Sequence, residues 1–512
     1  MKFLRAIAFG VVVGCGAGLV AQQAHPAVLG ENDVIATIQL AENEAPLRFT
    51  LKQMMEALKI PGLSVALIND DKIAWAKGYG VTEAGGTRPV TPRTLFQAGS
   101  ISKPVAATGT MWLVEQGKLS LDEDVNLKLK TWKVPDNEFT KTEKVTLRRL
   151  VSHSAGMTVH GFPGYAVGEP VPMLVQVLNG EKPANTDPIR VDTVPGTKLR
   201  YSGGGVTVEQ LLVQDVTGEP FPEFMRKTVL SKTGMNDSTY EQPIPADRAD
   251  MTATGTRADG KSVDGRWHVY PEMAAAGLWT TPTDLAKFAI ETALSKHGKA
   301  NHVLSQKMTQ EMLKPQAKGQ PGEIVGLAFF LGDEKHPDQF GHSGADEGFQ
   351  ADLAMFADSG KGWAIMGNTD ALFGLAGYVE DALAKEVGLS LGRGHNVGGE
   401  LMLLLNVKGK DAAMQRYRYV KQHPQPGYKV DDGTLNGFGY MLLQGGKVQD
   451  AIETFKLNVA DNPQCSNCYD SLGEAYMNAG QKQLAIENYE KSIALDPKNE
   501  NGVKMLKKLR EQ

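Results

Sequence analysis

The chain has 512 residues, with 54 Lys+Arg against 59 Asp+Glu, giving a formal net charge of -5 and a pI near 6.1. That balance excludes the basic stripe of a nucleic-acid surface, and the one basic run, Lys504 to Arg510, reads as the solvated face of a terminal helix. Hydrophobic residues at 41% and charged residues at 22% exclude a disordered or fibrous chain, and three cysteines are too few for a disulfide framework.

The first 24 residues read as an export signal. Lys2 and Arg5 precede an apolar stretch, Ala6 to Val20, and Ala21 and Ala24 are the small residues before a candidate cut. Val12, Val13 and Gly14 before Cys15 loosely match a lipoprotein cleavage box. The apolar stretch runs past that cysteine, which disfavours lipidation there. After it, no apolar run reaches the roughly 18 residues of a spanning helix. The expectation is a periplasmic or secreted protein.

Residues 25–395 form an α/β block. Arg48 to Leu58 has a helical period, and Leu63 to Ile68 and Lys72 to Gly80 are apolar runs split by Asn69, Asp70 and Asp71, a hairpin pattern. A middle rich in helices and loops follows, roughly 100–320. Strand patterns return at Gly326 to Leu331, Gln350 to Phe356 and Gly362 to Gly367. Strands at both ends with helices between predict one antiparallel sheet with flanking helices and a helical subdomain.

Residues 396–512 are expected to be all-α. Gly439 and Gly473, Gly446 and Gly480, Ala451 and Ala485, Phe455 and Tyr489, and Pro463 and Pro497 are each 34 apart. With Tyr469, Leu472 and Tyr476, this resembles tetratricopeptide repeats, at about 434–467 and 468–501. Two repeats do not bury a core alone, so Gly399 to His423 is assigned a degenerate helix pair and Asn501 to Gln512 a capping helix. The resemblance implies a docking surface for a protein, or else a stabilising appendage. The two blocks are expected to have separate cores. Cys465 and Cys468 are left as either a short-loop disulfide or unlinked packing thiols. A closed zinc site needs four ligands, and no second pair is near.

The chemistry begins at F-Q-A-G-S-I-S-K-P, Phe96 to Pro104. Residues three apart share a helix face, so Ser100 and Lys103 put a hydroxyl beside an amine. A hydroxyl alone is a poor nucleophile, and a neighbouring base must take its proton. Pro104 is tolerated only in a first turn, which starts the helix near Ser100 and leaves the Ser100 N–H free for an acyl-transfer oxyanion.

An S-x-x-K spacing recurs by chance in a chain of this length, so context decides. The context is V-T-L-R-R-L-V-S-H-S-A-G-M (Val145 to Met157), P-G-T-K-L-R-Y-S-G (Pro195 to Gly203), A-A-G-L-W-T-T-P-T-D-L-A (Ala275 to Ala286) and F-G-H-S-G-A (Phe340 to Ala345). In this order they resemble the serine hydrolases related to class C β-lactamases and penicillin-binding proteins, over roughly residues 45–390. The resemblance implies that Ser100 is acylated and that Lys103 and Tyr201 jointly serve as its base and proton relay. It places His342, Ser343 and Gly344 where β-lactamases carry Lys-Thr-Gly. The Ser100 and Ala345 N–H groups become the oxyanion donors, and Gly203, Ser343 and Gly344 line the substrate site.

Two departures bear on substrate. Gly203 replaces the usual asparagine, which removes an amide that would bond a substrate amide. His342 replaces a permanently charged lysine that would pair with a substrate carboxylate. A neutral imidazole suits an ester or small acyl substrate. A rival reading takes G-H-S-G-A as a near miss to G-x-S-x-G with Ser343 as nucleophile, but a strand and hairpin pattern follows it, not the helix of a nucleophile elbow. His153 and His160 read as turn or core residues. No metal-ligand cluster and no cofactor motif is present.

The expectation is a serine hydrolase acting through an acyl-enzyme at Ser100 on a small ester, amide or peptide-like substrate, of the carboxylesterase, D,D-peptidase, D-amino-peptidase or β-lactamase kind. The alternative is a catalytically weak, penicillin-binding-like scaffold or sensor that acts through its repeats.

Overall fold

A computed structural model describes residues 27–320, 322–392, 397–424, 428 and 430–511, so the export segment and Cys15 lie outside the described residues. The helical period read over 48–58 holds only from α1 (Leu51–Ala57). Arg48 to Thr50 instead belong to a strand, Leu47–Thr50, that pairs with Val34–Ile38. Thr50 and Gln53 form a reciprocal capping box that fixes the boundary.

The hairpin is present. β1 (Gly62–Asn69) and β2 (Lys72–Gly80) turn through Asp70 and Asp71, both at positive φ, as the right-handed twist of paired strands requires. The remaining strands come from the far end of the block: β3 (Ala317–Lys318), β4 (Ile324–Val325), β5 (Phe330–Leu331), β6 (Gln339–Asp346), β7 (Phe349–Phe356) and β8 (Lys361–Gly367). The expected strand over Gly326 to Leu331 is therefore only its last two residues, preceded by a tight turn in which Ala328 has positive φ.

All pairings are antiparallel, in the order β2-β1-β8-β7-β6-β5-β4-β3. The β8 to β1 pairing, with Trp363 opposite Leu67, joins chain-distant halves. Side chains alternate across the sheet. On β1, Ala66 and Ile68 enter the core shared with α2 (Ser102–Glu115), α3 (Gly203–Thr217) and α4 (Pro282–Lys296), while Leu63, Val65 and Leu67 face the opposite layer of α1 and α5 (Phe373–Glu386). Cover on both faces explains why β1 is apolar almost throughout. Residues 102–111 of α2 are all buried, so α2 is a central helix with no solvent face along that stretch.

The C-terminal block is helical as expected: α6 (Val397–Lys408), α7 (Lys410–Gln422), α8 (Asp432–Gln444), α9 (Val448–Asp461), α10 (Ser466–Asn478), α11 (Lys482–Leu495) and α12 (Glu500–Glu511). The repeat glycines mark close helix approach. A Cβ on Gly439 would fall 2.5 Å from the Phe455 ring, and one on Gly473 would fall 3.3 Å from the Tyr489 ring. Cys465 and Cys468 are joined by a disulfide at the start of α10. Lys504, Lys507, Lys508 and Arg510 are exposed, the solvated face read from the sequence.

The expectation of separate cores is corrected by the packing. One apolar cluster runs from Leu63, Val65 and Trp363 on the sheet, through Leu375 and Val379 of α5 and Leu401 and Leu404 of α6, to Phe438, Tyr476 and Leu509 of the repeats. The apolar face of α5 is wide enough to need cover from both sides, which the sequence pattern of either block alone does not reveal. A buried ion pair of the C-terminal block anchors the same seam: Arg416 Nε donates to Glu400 Oε2 at 2.8 Å, and Arg416 Nη1 reaches across to donate to the Gln39 carbonyl at 2.7 Å. Arg416→Ala leaves a buried carboxylate without its cation, so it should lower unfolding free energy by about 3–5 kcal/mol, measured by urea titration. A loss below about 1 kcal/mol would show that the seam does not depend on this pair.

Candidate active site

The nucleophile segment is fixed on one side by the A-A-G-L-W-T stretch. Phe96–Gln97 pairs with Trp279–Thr280, Ala98 N donates to the Leu278 carbonyl at 2.9 Å, and Leu278 N donates to Ser102 Oγ at 3.0 Å. The chain then makes a 3₁₀ turn, Gly99–Ile101, that runs into α2, so Ser100 sits in the turn and Pro104 is the third residue of the helix. The sequence expectation of a helix start near Ser100 is met through this tighter turn.

Lys103 is buried, and its Nζ donates to Ser100 Oγ at 2.8 Å and to the Ala275 carbonyl at 2.8 Å. The carbonyl holds the amine in place while the first contact supplies a path for the Ser100 proton. The face of the Tyr201 ring lies 5.0 Å from Nζ, within cation–π distance.

Strand β6 approaches the same turn through two glycines. Gly99 has φ 50°, and a Cβ on it would fall 2.4 Å from the Ala345 nitrogen. A Cβ on Gly344 would fall 1.9 Å from the Ala98 carbonyl oxygen and 2.9 Å from the Ser100 nitrogen. Only two residues without side chains allow this approach. It brings the Ser100 and Ala345 amides beside one another, the arrangement an oxyanion needs.

Alternation along β6 puts His342, Gly344 and Asp346 on the buried side, with Ser343 and Ala345 exposed. His342 Nδ1 donates to the Ser343 carbonyl at 2.5 Å, which leaves Nε2 as an unpartnered acceptor. Burial, then the Lys103 charge, push its imidazole down to about 3, so it is neutral at physiological pH.

Tyr201 is held in an aromatic cage. His153 lies 4.2 Å from it between ring centroids, His160 4.9 Å, His342 6.0 Å and Phe330 6.2 Å. Its buried hydroxyl has no partner among the described residues and is free to serve an incoming group. His153 Nδ1 accepts from Ser202 N at 3.2 Å, and burial holds this ring neutral as well. His153 is buried in a turn, as the turn-or-core reading expects, whereas His160 is exposed and lines the cavity beside Tyr201.

A cavity of about 410 Å³ is lined by Ser100, Lys103, Tyr201, His342, Ser343, Gly344 and Ala345, so seven of the residues named from the sequence converge on it. Gly203 does not line it. Gly203 opens α3 with its N–H donated to the His160 carbonyl, and Phe162 and His160 fill the space beside it. Its assignment to substrate binding is therefore corrected: the site lacks a side-chain amide there because the helix start is packed against residues 160–162. Ser343 lies within a strand, which removes the elbow reading.

Three buried carboxyl groups escaped the sequence reading. Burial pushes Glu209 up to about 7 and Glu272 up to about 8. Asp346 is held well above the usual carboxylate range by burial, with Lys103 and the Gly99 amide pulling the other way. Glu209 accepts from Thr110 Oγ1 at 2.6 Å, while both carboxylate oxygens of Glu272 and of Asp346 lack a completed hydrogen bond among the described residues.

The large antiparallel sheet, the central helix and the Ser–Lys pair have the arrangement of the beta-lactamase and penicillin-binding-protein fold. Residues 47–385 match the beta-lactamase family model, and residues 466–499 match a tetratricopeptide repeat. The chain belongs to the beta-lactamase family, a family of serine hydrolases that includes penicillin-binding-protein homologues, and it carries a tetratricopeptide repeat near its C-terminus.

It is 28% identical over 242 residues to a beta-lactamase of Pseudomonas fluorescens (47% of this chain, 62% of that one). It is 30% identical over 283 residues to an unguisins hydrolase of Aspergillus campestris (50% and 47%), and 27% identical over 233 residues to penicillin-binding protein 4 of Amycolatopsis lactamdurans (45% and 58%). The chain thus spans about half to three fifths of the length of these curated relatives. Among solved structures, the octameric penicillin-binding protein homologue from Pyrococcus abyssi shares the fold, with TM-score 0.54, 24% identity, and 66% of this chain and 76% of that chain covered.

Gly344→Ala should lower kcat/KM on a small ester by about 100-fold or more, the scale of losing an oxyanion donor, because its methyl collides with the Ala98 carbonyl. Full activity in the folded variant would contradict the close approach. Glu272 is protonated in the fold and ionised when unfolded, so its contribution is present below the ordinary carboxylate range and is lost as pH rises toward about 8. The melting temperature of Glu272→Gln, relative to the parent, should therefore rise between pH 5 and pH 8. A pH-independent difference would overturn this.

Proposed function

We propose that this chain hydrolyses an ester or amide bond of a small acyl or peptide-like substrate through an acyl-enzyme at Ser100. The observation that carries this reading is the 2.8 Å contact from Lys103 Nζ to Ser100 Oγ, with Lys103 held by the Ala275 carbonyl. As Ser100 Oγ attacks the carbonyl carbon, its proton passes to the Lys103 and Tyr201 pair in the form that lacks one proton, with either the Lys103 amine or the Tyr201 phenolate as acceptor. The oxygen of the tetrahedral intermediate takes the Ser100 and Ala345 amides. The leaving group departs with a proton from the same pair, and water, deprotonated in turn, releases the acid and restores Ser100.

The neutral His342 supports an ester or uncharged acyl group over a substrate that needs a fixed cation for its carboxylate. The curated relatives carry beta-lactamase, unguisins hydrolase and penicillin-binding names, which supports acyl transfer as the shared chemistry. We assign the protein to the periplasm or the exterior from residues 1–24, and assign the repeats a protein partner. No helix among the described residues is long and apolar enough to cross a membrane.

The test is turnover by the purified chain of esters, D-amino-acid peptides and a β-lactam. Ser100→Ala should abolish turnover, and Lys103→Ala should slow acylation by about 10² to 10⁴-fold, the range for losing general acid-base help. Retained activity in Ser100→Ala would sink the assignment. Failure of the parent chain on every substrate class would favour the scaffold reading.

A further inference from the structure

The mechanism above leaves one wall of the cavity unexplained. Asp346 is 6% exposed and lines the same cavity as Ser100, and the one donor set against its carboxyl group is the Gly99 amide, which does not reach full hydrogen-bond geometry. A buried polar group without a full hydrogen bond costs stability, so its presence in a reaction cavity points to a ligand. It stands on the same face of β6 as His342 and Gly344, one residue beyond the Ala345 amide, and shares the cavity lining with Ser100 and Ala345.

The charge of the remaining wall sets the ligand's sign. Lys103 is the only lysine or arginine among the described residues lining the cavity, and its Nζ is engaged by Ser100 and Ala275. His342 donates its one ring proton to the Ser343 carbonyl, so it presents no N–H to a substrate anion. The second acid lining the cavity, Glu323, accepts from Gln320 N at 3.0 Å. Among the described residues lining the cavity no free lysine or arginine awaits a carboxylate, whereas a buried carboxyl group has only the Gly99 amide set against it.

We propose that Asp346 selects substrates whose acyl group carries a primary amine, its carboxylate pairing with the substrate ammonium while Ser100 attacks the adjacent carbonyl. This rests on the hydrolase reading and names its substrate class. In the empty site burial holds the Asp346 carboxyl well above the usual carboxylate range, which favours its protonated form. The arriving ammonium stabilises the ionised form, the carboxyl proton leaves to solvent, and no bond to carbon is made or broken in this step. A charge-assisted contact of this kind is the stronger sort of hydrogen bond.

The experiment compares alanine benzyl ester with lactic acid benzyl ester, which differ by an ammonium against a hydroxyl, both enantiomers being tested below the pKa of the amine. The parent chain should favour the alanine ester by at least tenfold in kcat/KM, and Asp346→Asn, close in shape to the protonated acid, should reduce that ratio by at least tenfold, chiefly through KM. A second readout needs no turnover: alaninamide binding to Ser100→Ala, followed by calorimetry in two buffers of different ionisation enthalpy, should release a proton, and lactamide binding should not. An unchanged ratio in Asp346→Asn, an equal fall for both esters, or a parent preference for the lactate ester would overturn the proposal. Equal falls would mean that Asp346 serves Lys103 instead. If neither ester is cleaved but alaninamide still binds with proton release, the hydrolase reading fails while the amine site stands. If alaninamide does not bind, the amine site fails whatever the turnover.

Discussion

The site depends on one close approach, that of the backbone at Gly99 and Ser100 to the backbone at Gly344 and Ala345. A side chain at either glycine would sit inside a neighbouring backbone atom's radius. The approach is delivered by the whole sheet. β6 is placed by β7 and β8, and β8 is placed by β1, so a strand from the start of the block fixes the position of an amide near its end. The outer face of that sheet is covered by α1 and α5, and α5 shares its apolar cluster with the repeats. The helical block therefore belongs to the scaffold of the reaction centre as well as offering a surface of its own.

Burial then decides the charge state of the centre. Lys103 lies out of water with a carbonyl, a hydroxyl and an aromatic face around it. His342 and His153 are held neutral by burial, and Glu209, Glu272 and Asp346 are raised by it. Charged forms are costly in such a setting unless paired. Placing an imidazole where related enzymes carry lysine removes a cation from the wall, and the nearby acid at Asp346 is left with Lys103 as the one lysine or arginine among the described residues lining the cavity.

Much of the centre was legible in the sequence because its parts are local. Ser100 and Lys103 are three residues apart, and His342 to Ala345 are consecutive, so strand and helix spacing already place their neighbours. The 34-residue period likewise exposes the helix pairs through Gly439 and Gly473. The buried acids were not legible, since carboxylates are usually solvated, and Glu209 and Asp346 meet the Lys103 charge, and Glu272 its burial, only after folding. Gly203 was misread because its position in the motif says nothing of Phe162 filling the space beside it. The separate cores were misread because apolar patterns reveal a face but not its partner.

The close approach is tested most directly by a crystal structure of the chain after reaction with a small boronic acid. The expected density is a tetrahedral boron bonded to Ser100 Oγ, with one boron-bound oxygen about 2.7–3.1 Å from both the Ser100 and Ala345 nitrogens, the separation at which an oxyanion is held. Boron bonded to a different side chain, or an adduct at Ser100 whose oxygens reach neither amide, would contradict it.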